Sequence, residues 1–127
     1  MFRMDLGSGE CGGHVVVALR GELDLLYAPA VASALAALAA RRPRIIVNLA
    51  GLEFIDASGV AALASGRRHA RHAGGDLLLA APRRAVRRVL TILWGADGFA
   101  MHASVADAAA SAGALPTAVT PVDRQLD

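Results

Sequence analysis

The sequence predicts an α/β fold, a mixed and mostly parallel β-sheet of about five strands opening on an antiparallel pair and flanked by about four helices. Three observations carry this. A chain of 127 residues is the size of one ordinary domain. Short β-branched runs alternate along it with stretches of helical period. A glycine-dense loop joins the first two runs, as a hairpin requires.

Phe2 to Leu6 is a weak strand, and Gly7-Ser8-Gly9-Glu10-Cys11-Gly12-Gly13 is the turn-permissive loop after it. Val15-Val16-Val17-Ala18-Leu19 has the length and branching of a buried strand, stopped by Gly21. From Ala28 the period changes: Val31, Leu35 and Leu38 share one helical face, Pro29 is tolerated in the first turn, and the helix ends near Arg41-Arg42-Pro43. Arg44 to Leu49 is apolar on both faces, as a central parallel strand with helices above and below requires.

Gly51 to Ala57 reads as a loop and Ser58 to about Ala73 as the second helix, ended by Gly74-Gly75. Leu77-Leu78-Leu79 is a short buried strand. Arg83 to Leu93 is the clearest amphipathic segment, with Val86, Val89, Leu90 and Leu93 on one side and Arg83, Arg84, Arg87 and Arg88 on the other. Gly95 to Gly98 breaks it, Phe99 to His102 is a last edge strand, and Ser104 caps an alanine-rich helix to about Ala112. The domain thus spans residues 1–113, and residues 114–127, with Pro116 and Pro121 and no periodicity, read as a flexible tail.

Hydrophobic residues make up 55% of the chain, enough for a packed core and too many for a disordered one. All 13 cations are arginines against 11 acids, and a net charge of +2 calls for neither nucleic acid nor a membrane as a direct partner. Cys11 is the single cysteine, which fits a reducing compartment, and the N-terminal residues show no export signal, so the expected location is the cytoplasm. Ala28 to Ala40, an uncharged stretch, is too short to cross a bilayer.

Right-handed crossovers bring the carboxyl ends of parallel strands to one edge of the sheet. The loops meeting there carry Glu22 and Asp24, then Asp56 and Ser58, then Arg83 and Arg84. Ser58 stands at a helix start, among unpaired backbone N–H groups at the positive end of the helix dipole, where a serine is ordinarily an N-cap. Gly59 in the first turn costs helix stability and bares the backbone to an approaching phosphate donor or partner. Asp56 either ends the loop or positions an incoming group, and with Glu22 and Asp24 it makes a negative rim around the hydroxyl.

Gly21-Glu22-Leu23-Asp24 after a valine-rich strand, followed by Val47-Asn48-Leu49 and Phe54-Ile55-Asp56-Ala57-Ser58-Gly59-Val60, resembles the STAS domain of bacterial anti-sigma factor antagonists over about residues 12–112. The resemblance implies a partner-switching cycle. The unmodified protein binds an anti-sigma factor that is also a serine kinase, freeing a sigma factor for transcription. Phosphorylation of the serine before the glycine, here Ser58, releases it, and a serine phosphatase restores the first state. The expected partner surface is Glu22, Asp24, Asp56, Ala57, Ser58, Gly59 and Val60. Ala57 stands where many relatives have a second serine or threonine, leaving one acceptor.

No cofactor, metal or catalytic residue is implied, and the protein is expected not to be an enzyme. It has no phosphate-binding Gly-x-x-x-x-Gly-Lys-Ser/Thr loop, no Gly-x-Ser-x-Gly elbow, and no histidine near Ser58 in sequence. Two rival readings stand beside the switch. One is a STAS subunit of a lipid-transport or stress-signalling assembly that uses no phosphate, and the other is a small hydrolase or nucleotide-binding enzyme. His69 and His72 read as surface histidines, the arginines of the third helix as a solvated face or a dock for an acidic partner, and Trp94 and Phe99 as core filler or an exposed anchor.

Overall fold

The computed structural model describes residues 1–94 and 99–113. Its elements run β1 (Arg3–Cys11), β2 (His14–Leu23), α1 (Ala28–Arg41), β3 (Arg44–Ile55), α2 (Ala57–His72), β4 (Asp76–Ala80), α3 (Arg84–Trp94), β5 (Met101–His102) and α4 (Val105–Gly113). The five strands form one sheet in the order β1-β2-β3-β4-β5, antiparallel between β1 and β2 and parallel thereafter. Every parallel step moves to the next position in the same direction. Crossovers of one hand then put α1, α2 and α3 on a single face, and α4 covers the other.

The strands serve the two faces by alternation. Val15, Val17 and Leu19 of β2, Ile45, Val47 and Leu49 of β3, and Leu77 and Leu79 of β4 join Val31, Leu35, Leu63, Val86 and Leu90 of the three helices in the main core. Val16, Ile46, Leu78 and Ala80 point the other way, onto Ala108 and Ala109 of α4. Helices α1 and α2 pack closely, because Gly66 has no side chain: a Cβ there lies 2.8 Å from Leu35 Cδ1.

Three expectations are corrected. The glycine-dense loop is mostly strand: β1 runs to Cys11 with a register shift between Asp5 and Gly9, and the turn is only Gly12-Gly13, both at positive φ. Gly21 does not end β2. It adopts φ +88, and a Cβ there lies 1.7 Å from the Met1 carbonyl oxygen, so only glycine lets the strand continue to Leu23. The expected loop from Gly51 is likewise strand, since β3 continues to Ile55 along the extended β2, pairing Gly21 with Leu52, Glu22 with Phe54 and Leu23 with Ile55. Two irregularities in this pairing, between Ala18 and Arg20 and between Gly21 and Glu22, break the apolar alternation that marks a strand in sequence.

The last edge strand shrinks to Met101–His102. The expected break at 95–98 and the expected tail at 114–127 lie outside the described residues. No described helix is long and apolar enough to cross a membrane.

The second face depends on few large side chains, so Ile46→Ala should cost about 2–5 kcal/mol in denaturant unfolding. Amide exchange should quicken in α4 before α2, because Ile46 packs in the cluster that holds α4.

Candidate functional site

The site is organised by Asp56, the residue between the end of β3 and the start of α2. Its extended backbone (φ −111, ψ −175) makes it the N-cap of α2, and its Oδ1 accepts the Gly59 N–H at 3.0 Å. The same oxygen accepts the Ser58 hydroxyl at 2.6 Å, and the Asp56 N–H donates to the Leu23 carbonyl at 3.2 Å. One acid therefore ties the ends of β2 and β3 to the head of α2. The Ser58 hydroxyl bond lowers the Asp56 pKa below 3.8 against the opposing effect of burial, helped by the N–H groups of Gly59, Leu25 and Ser58. The carboxylate is ionised at neutral pH.

Ser58 is therefore not the cap expected from sequence but the second residue of α2, with its hydroxyl turned back to the capping carboxylate. It is half-buried and lines an open groove of about 270 Å³ between α1 and α2, formed by Leu25, Pro29 and Ala32 on one side and Ser58, Ala61 and Ser65 on the other. Ala57 is exposed beside it.

Gly59 and Val60 depart from the expected partner surface. Gly59 is buried, and a Cβ on it lies 2.7 Å from Ile55 Cγ1, 2.9 Å from Leu23 Cγ and 3.0 Å from the Leu23 oxygen. It admits the head of α2 to the strand ends and does not bare backbone to an incoming group. Val60 is 3% exposed and belongs to the core.

Of the acids expected around the hydroxyl, Asp56 bonds it directly, and Glu22 and Asp24 have partners of their own. Asp24 Oδ1 accepts the Leu26 N–H at 3.0 Å, and its carbonyl accepts the N–H groups of Tyr27 and Ala28 at the entry to α1. Glu22 pairs with the Met1 ammonium at 2.8 Å. The ammonium pKa is raised by that hydrogen bond and charge, and further by Glu53 and Asp24, so all three acids share one neighbourhood. Glu53 escaped the sequence reading because its segment looked like a loop.

The exposed Leu25, Leu26 and Phe54 were also missed; two leucines outside any periodic stretch, directly after Asp24, were the available signal. Arg83 Nε donates to the Ala50 carbonyl at 2.9 Å, within β3, while Arg84 lies on the outward stripe of α3.

The remaining histidines do not build a centre. His69 and His72 are exposed, with His69 Nδ1 2.9 Å from the Ser65 carbonyl. His14 is buried and donates from Nδ1 to the Gly12 carbonyl at 3.2 Å. Among the described residues no group of three potential metal ligands occurs. Trp94 and Phe99 meet at 5.0 Å between ring centroids; Phe99 is buried, and Trp94 stays 37% exposed.

The model of one family, the STAS domain, matches residues 9–108. The chain belongs to the STAS domain family. No curated protein matches it. Among solved structures, the domain is similar to an anti-sigma factor antagonist from Mycobacterium paratuberculosis, at 24% identity and a TM-score of 0.76 over 89% of this chain and 95% of that one. It is similar to the Bacillus cell fate determinant SpoIIAA in its phosphorylated form, at 24% identity and a TM-score of 0.63 over 87% and 98%. It is also similar to part of the murine anion transporter Slc26a9, at 20% identity and a TM-score of 0.70, covering 81% of this chain but only 18% of that one. At these identities the likeness establishes the shared STAS fold.

Two outcomes test the geometry. Asp56→Ala should lower stability at pH 7 by about 0.5–2 kcal/mol in urea unfolding. Because the folded pKa is depressed, the ionic share of the cap is complete above the unfolded value and is lost as pH falls through the folded one, below 3.8. Asp56→Asn should therefore keep most of the cap and flatten the acid limb of the stability curve. Gly59→Ala should destabilise by about 1–3 kcal/mol despite the better helix propensity of alanine, because the added methyl overpacks Leu23 and Ile55.

Proposed function

We propose that this STAS domain is an anti-sigma factor antagonist, a non-enzymatic cytoplasmic switch that binds an anti-sigma factor serine kinase when unmodified and is released when Ser58 is phosphorylated. One observation carries the reading. The hydroxyl of Ser58 stands at the head of α2, half-buried at an open apolar groove and bonded to a carboxylate, with Leu25, exposed at 73%, in the same groove. A groove of that kind is a protein-docking surface with an acceptor hydroxyl in its wall.

In the transfer step the serine oxygen forms a bond to the γ-phosphorus of ATP, the bond to the β-phosphate oxygen breaks, ADP leaves and the hydroxyl proton is lost. The product carries about −1.5 to −2 charges. At the second position of a helix the dipole stabilises such an anion by about 0.3–2 kcal/mol. Sealing the same charge unpaired beneath a partner costs several kcal/mol, more than the dipole returns. The domain therefore tolerates the phosphate and the interface does not. A serine phosphatase closes the cycle.

The likeness to part of Slc26a9 supports a second reading, in which the domain is a fixed subunit of a transport or signalling assembly and Ser58 is never modified. One experiment separates the two. Incubation with ATP and the candidate anti-sigma kinase, followed by mass spectrometry, should place one phosphate on Ser58. Ser58→Asp should weaken kinase binding at least ~100-fold, while Ser58→Ala should bind and stay bound when ATP is added. Undiminished binding by Ser58→Asp sinks the switch.

A further inference from the structure

Two surfaces of opposite charge are left over once the fold is built. On the outward side of α3, Arg84, Arg87, Arg88, Thr91 and Ile92 line an open depression of about 300 Å³. Their spacing of three and four residues sets them on one helical face. Helix α3 contains no acid, and among the described residues no carboxylate forms an ion pair with these three guanidinium groups. Val86 and Leu90 already anchor the helix in the core. Ile92, on the same face as the arginines, is 72% exposed.

The second surface is the rim beside Ser58. There Glu22, Asp24 and Glu53 share one neighbourhood, and Leu25, Leu26 and Phe54 are exposed at 73%, 76% and 49%. Phe54 is the direct neighbour of Glu22 across the β2–β3 pair, which places it among the acids.

We propose that the two surfaces fit each other and that the domain associates head to tail, the α3 stripe of one copy seating on the acidic rim of a second. The stripe supplies Arg84, Arg87, Arg88 and the exposed Ile92, and the rim supplies carboxylates of the opposite sign together with the exposed Leu25, Leu26 and Phe54, so charge complementarity is joined by apolar contact. An anionic membrane accounts for the arginines and leaves the rim unexplained, and the rim is repelled by such a surface. A second copy accounts for both at once. The contact is heterologous, so it propagates into a chain or a closed ring. It covers the rim next to Ser58, which puts self-association and capture of the switching partner in competition. The contact itself needs no phosphate at Ser58.

Sedimentation of the full chain, without kinase or nucleotide, tests this independently of the switch. From about 1 to 300 µM at roughly 30 mM salt the average mass should rise with concentration, and at roughly 500 mM salt the apparent affinity should fall at least ~tenfold. Arg87→Glu with Arg88→Glu makes both surfaces acidic, and Asp24→Arg with Glu53→Arg makes both basic. Each double variant alone should stay monomeric, whereas an equimolar mixture should assemble.

Circular dichroism of each variant confirms that it is folded. A full chain that remains monomeric at the highest concentration and lowest salt overturns the proposal, as does a mixture that assembles no better than its parts. Binding of the monomeric full chain to phosphatidylserine vesicles, lost in the Arg87→Glu, Arg88→Glu variant, also overturns it and assigns the stripe to a membrane.

Discussion

The close approach of the head of α2 to the ends of β2 and β3 is the constraint on which the site depends. It requires a residue without a side chain at position 59, where any methyl meets Leu23 and Ile55 within 3.0 Å. It also requires an acid at 56, whose backbone N–H bonds the Leu23 carbonyl and whose carboxylate closes the first turn of α2. With those two residues in place, Ser58 can turn neither into the core nor freely into solvent. Its hydroxyl is held against the cap and beside the groove, so the geometry of the acceptor is a by-product of how a helix is joined to a sheet.

This arrangement separates structure from chemistry within five consecutive residues. Asp56 and Gly59 are needed for the joint and Val60 for the core, while Ala57 is exposed and Ser58, like Asp56, is half-buried. A motif read as one functional string is therefore two kinds of residue. Glu22 and Asp24 likewise combine roles: one pairs with the Met1 ammonium, and the other shapes the turn into α1 while contributing its charge to the rim.

The architecture was legible where apolar period and backbone state agree. The branched runs at Val15 and Ile45 and the 3.6-residue stripe of α3 correspond to elements found at those places. Legibility failed where glycine changes the rules. Gly21 and Gly51 look like strand stops, yet both sit within paired strands, at irregularities that shift the alternation and hide the extension to Leu23 and Ile55. The site was half legible for the same reason. Ser58 stood out by type and place, but the sequence cannot say whether a cap is the serine or the aspartate two residues before it. Glu53 and Phe54 were invisible until the loop proved to be strand.

The ends of the sheet carry a consequence of their own. β5 contributes only Met101 and His102, and β1 is interrupted between Asp5 and Gly9 with Arg3 at its start. Among the described residues, neither margin is a long and regular row of backbone N–H and carbonyl groups of the kind that templates strand addition. A domain this rich in alanine, valine and leucine is thereby kept from recruiting foreign chains through its backbone, and recognition is left to side chains that can be rewritten one codon at a time.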